Sequence, residues 1–93
     1  MRYKIDPDSC PSGEIHASYL LLAIDEFAME MKRKLLSKLN EGYTGWNEPN
    51  YWSGNDVIKK LKEQIEKRSV DPIDIGNYAM FLWNIRTGVA KII

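Results

Sequence analysis

The apolar residues in the first half of the chain recur at steps of three and four, which is the spacing of one face of an α-helix. This pattern predicts a single long amphipathic helix over residues 14–40, and Gly42 lies where such a helix commonly ends. The positions that define its face are Leu20, Ile24, Phe27, Ala28, Met31, Leu35 and Leu39. Residues 1–13 contain proline and glycine among polar residues, so we predict an N-terminal arm.

A second, shorter helix is predicted over residues 55–68, with Ser53 or Asn55 as its N-cap. Its apolar positions form a narrow stripe, and basic residues occupy much of its remaining surface. The stripe consists of Val57, Ile58, Leu61 and Ile65. Residues 41–54 combine glycine and proline with tyrosine and tryptophan, so we predict an aromatic loop whose rings hold it against the core.

The third helix, predicted over residues 71–87, is apolar on nearly every side except at its start. Pro72 suits the first helical turn, Gly88 lies where the helix would end, and residues 88–93 form a short tail. A helix without a polar face belongs in the centre of a fold. The sequence therefore predicts an all-α domain, residues 1–93, with one long, one short and one central helix.

Two neighbouring helices are not enough to cover every apolar side of the third helix, and 93 residues support only a small core. We therefore predict a helical bundle completed by homo-oligomerisation, as a dimer or a tetramer. Excess apolar surface is also typical of a small interaction protein, such as a viral protein that binds a host protein. Residues 2–5, the aromatic loop and residues 89–93 are the candidate contacts for that alternative.

Composition narrows the choice of partners and compartment. The 13 basic and 13 acidic residues cancel, which argues against binding to extended nucleic acid or to an anionic membrane. Cys10 is the only cysteine, so an intramolecular disulfide is excluded, and we expect the reducing cytoplasm, or the host cytoplasm for a viral protein. The start of the chain lacks the apolar core of a signal peptide, and no apolar run is long enough to span a bilayer.

The acidic residues at the start of the third helix have two interpretations. In the structural one, Asp71 is the N-cap, and the charge of Asp74 stabilises the first turn. In the chemical one, both belong to a Mg²⁺ site with acids of the second helix. A tight turn would place Asp74 level with Glu66 or its neighbour, and Asn77 level with Glu63. Glu63, Glu66, Asp71 and Asp74 are therefore candidate ligands of Mg²⁺.

A further set of residues would suit a nucleotide. Lys34, Lys38 and Lys67 lie near the helix ends around the aromatic loop, where ammonium groups would neutralise phosphates. Trp46 offers a flat face for stacking with a base, and its alternative role is to plug the end of the core. Asn77 is costly in an apolar helix without a partner, so it either hydrogen-bonds across to the second helix or contacts a ligand.

Three blocks of the chain also carry a family resemblance. They are Phe27-Ala28 with Met31 and Lys34-Leu35, then Gly45-Trp46, then Asp74-Ile75-Gly76-Asn77-Tyr78-Ala79-Met80. Together they resemble the short, often phage-borne members of the MazG-like all-α nucleoside triphosphate pyrophosphohydrolases, including proteins labelled dATP/dGTP diphosphohydrolase-like. The likeness covers residues 27–86.

In that superfamily, a Glu-Glu-x-x-Glu motif and a Glu-x-x-Asp motif on successive helices bind Mg²⁺ for cleavage between the α and β phosphates. The resemblance implies that Glu63 and Asp74 keep two ligand positions and that Asp71 replaces a glutamate. Gln64 and Lys67 stand where two further glutamates would be. We therefore expect a MazG-like protein that binds a nucleotide or a nucleotide-derived signal with little or no turnover. The alternatives are the viral interaction protein and a Mg²⁺-dependent (d)NTP pyrophosphohydrolase.

Overall fold

The structure is a computed structural model that describes residues 13–47 and 52–90. In these ranges it contains three α-helices and no strand: α1 (Gly13–Asn40), α2 (Gly54–Ile65) and α3 (Pro72–Thr87). The predicted all-α class with three helices is therefore confirmed. None of these helices combines the length and apolar character needed to cross a membrane. The contacts considered for residues 2–5, the lone Cys10, loop residues 48–51 and tail residues 91–93 lie outside the described residues.

α3 packs against both of the other helices. Asp71 is its N-cap, and the Asp71 side chain accepts a hydrogen bond from the backbone N–H of Ile73 at 2.9 Å. Gly88 is its C-cap, with a φ of 69° in the left-handed region that favours glycine. Both ends of α3 are thus set by local sequence, as the capping pattern predicted.

Ser53 is the N-cap of α2 and forms a capping box with Asp56. The Asp56 carboxylate accepts from the backbone N–H of Ser53 at 2.8 Å, and the Ser53 hydroxyl accepts from the backbone N–H of Asp56 at 3.2 Å. Hydrogen bonds from the Ser53 backbone and hydroxyl lower the pKa of Asp56. Of the two caps that the sequence suggested, the structure selects Ser53.

α2 ends at Ile65, earlier than the predicted end at residue 68. Glu66 is the C-cap, and its backbone N–H donates to the carbonyl oxygen of Lys62 at 3.0 Å. Asp71 precedes a proline and is extended, so residues 66–70 are needed to turn the chain back before α3 begins. The connection is therefore longer than the tight turn on which the predicted register of acids depended.

The buried core is small and lies along α3. Val57 of α2 is completely buried, and Phe81 of α3 is 9% exposed, whereas α1 has no buried residue. α1 reaches α3 through a close approach at Gly76. A Cβ atom at that glycine would lie 2.7 Å from Cε1 and Cζ of Phe27 and 3.3 Å from Sδ of Met31. Only a residue without a side chain allows this crossing.

One side chain, that of Asn84, holds the chain that follows α3. Asn84 is 5% exposed, and its Nδ2 donates to the carbonyl oxygen of Ala90 at 2.8 Å. Its Oδ1 accepts from the backbone N–H of Ala90 at 2.7 Å. Asn47 of the loop donates to the same carbonyl oxygen at 3.4 Å. The start of the tail therefore lies beside the aromatic loop.

Candidate functional site

A pocket of about 550 Å³ lies between the C-terminal half of α1, the aromatic loop and α3. Its volume is within the range of small-molecule sites, and its lining combines aromatic and apolar surface with a few polar groups, as such sites usually do. The lining residues that matter for its chemistry are Lys34, Lys38, Trp46, Trp52, Asp74, Asn77, Tyr78 and Phe81.

Four aromatic rings form one wall of the pocket. Trp46 stacks on Phe81 with ring centroids 5.3 Å apart and an interplanar angle of 26°. Trp52 lies 6.1 Å from both Tyr78 and Phe81, and Tyr78 meets Phe81 edge-on at 5.9 Å. Pairs of this geometry contribute about 0.5–1.5 kcal/mol each beyond their buried area. Trp46 thus plugs the end of the core, the structural role considered for it, and also lines the pocket.

Asn77 is the buried polar residue of the pocket. It is 4% exposed, and its Oδ1 is buried without a hydrogen-bond partner among residues 13–47 and 52–90. The indole N–H of Trp52 is likewise buried without a partner there. A buried polar atom in this state costs about 1–3 kcal/mol. Two roles were considered for Asn77: a hydrogen bond to α2, or contact with a ligand. The Oδ1 atom makes no hydrogen bond to α2, and the position of Asn77 in the pocket lining is consistent with contact with a ligand.

Lys34 and Asp74 form a polar edge of the pocket, and Lys34 also pairs with Asp71 outside the pocket lining. The Nζ of Lys34 lies 2.7 Å from Oδ2 of Asp71 and 2.6 Å from Oδ1 of Asp74. The hydrogen bond from Lys34, and then that from the backbone N–H of Ile73, lower the pKa of Asp71. The hydrogen bonds to Asp71 and Asp74 raise the pKa of Lys34. A lysine ammonium therefore lies between two of the carboxylates that the sequence suggested as Mg²⁺ ligands.

The other two suggested Mg²⁺ ligands lie elsewhere. Glu63 is 3.4 Å from Nζ of Lys60 on the same helix, and neither Glu63 nor Glu66 is among the residues that line the pocket. Within the part of the chain that the structure describes, no group of three His, Cys, Asp or Glu residues could hold a metal ion. The structure brings Asp71 and Asp74 together around Lys34, away from the acids of α2.

Most of the residues predicted to contact a nucleotide do line this pocket: Lys34, Lys38, Trp46 and Asn77. Lys67 does not, because it lies in the connection after α2. Sequence reasoning missed Tyr78 and Phe81 as pocket residues. They lie four and seven residues after Asp74 on α3, a helical spacing that places all three on one face and would have identified them.

Comparison with known proteins finds no relative of this chain. No family model matches the chain, and no curated protein or solved structure is significantly similar to it. The resemblance to the MazG-like superfamily therefore stays a prediction. The chemistry of the pocket has to be argued from its own residues.

Replacing Lys34 by methionine should flatten the pH dependence of stability. The pKa of Asp71 is lowered by folding, so its contribution to the free energy of unfolding is present above about pH 4 and is lost as the pH falls through the lowered pKa. The pKa of Lys34 is raised, so its contribution is present below about pH 10.4 and is lost as the pH rises through the raised pKa. Lys34→Met removes the first cause of the Asp71 shift, and it removes the titrating Lys34 group itself. Urea midpoints measured across the pH range would show shallower losses at both ends.

Lys32→Met is the matched control, since Lys32 is an exposed lysine on the same helix. It should keep the pH dependence of the wild type. Part of the acid dependence remains in both variants, because Asp56 also has a lowered pKa. Identical pH profiles for Lys34→Met and the wild type would contradict the role of the Lys34 ion pairs.

Proposed function

We propose that the chain binds a nucleotide, or a nucleotide-derived signal, in this pocket with little or no turnover, as a degenerate MazG-like protein. The observation that carries the proposal is the Asn77 carboxamide: a residue that is 4% exposed lines a pocket of about 550 Å³ with its Oδ1 unpartnered among the described residues. Such an atom lowers stability in the free protein. This oxygen is closed to solvent in the free protein, so the carboxamide has to turn toward the pocket before it can accept a hydrogen bond from a donor on a nucleobase edge.

The two sides of the pocket suit the two parts of a nucleotide. The aromatic wall provides ring faces for a base, and stacking of this kind contributes about 1–3 kcal/mol per base. Lys38, which lines the pocket from α1, provides positive charge for phosphates, whereas Lys34 is already paired with Asp71 and Asp74. Lys38 is about half exposed, with its Nζ 3.4 Å from Glu41 and 5.2 Å from the centroid of the Tyr43 ring, so a phosphate competes with a solvent-screened ion pair and a cation–π contact.

Weak turnover follows from the placement of the acids. Metal-assisted cleavage of a triphosphate needs carboxylates that converge on Mg²⁺. Asp71 and Asp74 instead share the ammonium of Lys34, which supplies positive charge where a cation would bind. Mg²⁺ is therefore not a required cofactor of the proposed binding.

Homo-oligomerisation, as a dimer or a tetramer, is also proposed, together with a cytoplasmic location. Neither depends on the pocket. Action on a host protein would use residues 2–5 and 91–93, which lie outside the described residues, and the aromatic loop, which is described in part. No specific observation favours it over nucleotide binding.

Calorimetric titration and thermal unfolding with a panel of ribo- and deoxyribonucleoside mono-, di- and triphosphates test the proposal. Each ligand is measured once with Mg²⁺ and once with EDTA. We expect at least one nucleotide to bind and to raise the unfolding temperature, with an affinity that changes less than about threefold between the two conditions. Failure of every nucleotide to bind would overturn the proposal, and steady release of pyrophosphate would replace it with the hydrolase alternative.

Asn77→Leu is the decisive variant, because it removes the carboxamide while keeping the number and branching of the side-chain heavy atoms. We expect at least a tenfold loss of affinity, about 1.4 kcal/mol, since the donor on the ligand loses its acceptor. The free energy of unfolding should stay equal or rise, because the unpaired polar atom is gone. Asn55→Leu, at an exposed asparagine in α2, is the control and should bind like the wild type. Lower stability of Asn77→Leu with unchanged affinity would show a purely structural role.

A further inference from the structure

The charged groups at the pocket are paired with one another. Within the part of the chain that the structure describes, the charged side chains of the pocket lining are Lys34, Lys38 and Asp74. Lys34 pairs with both Asp71 and Asp74. Lys38 pairs with Glu41. The two ammonium groups thus face three carboxylates, so these groups together give the pocket no surplus of positive charge.

The two lysines differ in how readily they accept a phosphate. The Nζ of Lys34 lies 2.7 Å from Asp71 and 2.6 Å from Asp74, and the Lys34 side chain is 35% exposed. A phosphate that binds Lys34 has to displace a carboxylate at hydrogen-bond distance. The Lys38 side chain is 52% exposed, and its carboxylate partner lies farther away, at 3.4 Å. Because exposed ion pairs contribute little, Lys38 is the better partner for a phosphate.

A negatively charged cluster lies close to that position. Lys34, Asp71 and Asp74 combine one positive charge with two negative charges. Lys38 follows Lys34 by four residues on α1, which is about 6 Å along the helix axis. This spacing is shorter than the Debye length of about 8 Å at physiological ionic strength. The cluster therefore repels negative charge that collects beside Lys38.

A triphosphate needs more positive charge than the described residues offer. Proteins that hold a triphosphate combine lysine or arginine with Mg²⁺ on the outer phosphates. Among residues 13–47 and 52–90, no arginine lines the pocket, and no group of three His, Cys, Asp or Glu residues could hold a metal ion. The first phosphate of a nucleotide has a partner in Lys38. A second and a third phosphate add negative charge without a further cation among these residues.

We infer that the pocket takes a nucleoside monophosphate in preference to the di- and triphosphate, and that Asp74 is the residue that sets this preference. The inference rests on the proposed binding of a nucleotide in this pocket. Stacking on the aromatic wall and one charge-assisted contact with Lys38 stabilise the monophosphate. Each further phosphate is repelled by the carboxylates around Lys34. Of these carboxylates, Asp74 lines the pocket and Asp71 lies outside the lining.

Calorimetric titration of the full chain with nucleosides and their mono-, di- and triphosphates tests the inference. The buffer contains EDTA and little salt, so that no metal ion neutralises the phosphates. For the base that binds best, we expect the monophosphate to bind at least about threefold more tightly than the nucleoside and the triphosphate. Added salt should narrow the gap between mono- and triphosphate, because it screens the repulsion.

The outcomes separate this inference from the proposed function. A triphosphate or a nucleoside that binds as tightly as the monophosphate overturns the inference, and the binding of a nucleotide still stands. A preference for the monophosphate that does not respond to salt also overturns it, because repulsion between charges is then not the cause. Failure of every probe to bind overturns the proposed function and the inference together.

Asp74→Asn tests the assigned residue, because it keeps the size of the side chain and removes its charge. The affinity for the triphosphate should rise by at least about threefold, while that for the monophosphate changes less. Glu63→Gln is the matched control: it removes the same charge from α2, outside the pocket lining, and should keep the preference of the wild type. Asp71 remains as the N-cap of α3, and circular dichroism checks that both variants stay helical. An equal rise in both variants overturns the assignment to Asp74.

Discussion

Gly76→Ala is expected to lower the free energy of unfolding by about 1–2 kcal/mol, which is the cost of overpacking less the gain from the better helix propensity of alanine. The new Cβ would lie 2.7 Å from two ring carbons of Phe27, closer than real Cβ contacts allow. The Phe27 ring, which is 39% exposed, therefore has to turn away from Gly76, and this weakens the packing of α1 on α3. The gain in helix propensity, about 1 kcal/mol, is smaller than this loss. Urea unfolding followed by circular dichroism measures the difference.

Gly54→Ala is the matched control for this prediction. A Cβ at Gly54 meets Cδ1 of Leu82 at 3.6 Å, an ordinary van der Waals distance, so its effect should be neutral or stabilising by less than about 1 kcal/mol. Adding Phe27→Ala should make Gly76→Ala much less costly, because the clash is gone. A double-mutant cycle gives this coupling. If Gly76→Ala is as mild as Gly54→Ala, then α1 does not cross α3 at this glycine.

Phe81→Ala should cost about 3–5 kcal/mol, the range for deleting a buried aromatic side chain. Phe81 is 9% exposed, and its ring contacts those of Trp46, Trp52 and Tyr78. Its removal leaves a cavity at the centre of the aromatic wall and frees the loop from α3. A small domain has only about 5–15 kcal/mol of total stability, so this substitution removes a large share of it. Urea unfolding at low temperature measures the loss.

Trp83→Ala is the control for Phe81→Ala, because it removes an aromatic side chain of the same helix that is not buried. Trp83 lies on the same helix but is 54% exposed, so its truncation should cost less than about 1 kcal/mol. In Phe81→Ala, the emission of Trp46 and Trp52 should shift to longer wavelength. In Trp83→Ala, their emission wavelength should stay that of the wild type once the contribution of Trp83 has been subtracted from the wild-type spectrum. Equal destabilisation by the two variants would argue against a core centred on Phe81.

The helices were predictable because their signals are local. Apolar periodicity located α1, and Asp71, Pro72 and Gly88 fixed the ends of α3. The end of α2 was missed for a reason that is not local. Asp71 is extended because it precedes Pro72, so the chain has to reverse direction before residue 71. α2 therefore ends earlier than its own sequence predicts.

The pairing of Lys34 with Asp71 and Asp74 was not predicted, because these residues are far apart in the sequence and belong to different helices. Partners for Asp71 and Asp74 were expected only on α2, the neighbouring helix in the sequence. A signal was nevertheless present: Lys34 follows Phe27 and Met31 at helical spacing, so it is a charged residue on a mostly apolar face. Such a residue needs an acidic partner on whatever packs there. The close approach at Gly76 likewise becomes visible only when both helices are placed.

Asn84 acts as a surrogate peptide unit. A carboxamide presents one N–H and one C=O side by side, the same pair that a strand offers to its neighbour, and Ala90 uses both. Aspartate at this position would set a negative oxygen against the Ala90 carbonyl. Leucine would leave the Ala90 N–H without a partner and its carbonyl oxygen with only the 3.4 Å bond from Asn47. The Asn84 side chain thereby makes the same pair of hydrogen bonds that one residue of a β-strand makes with its neighbour. These two bonds hold the chain reversal after α3 without a β-strand.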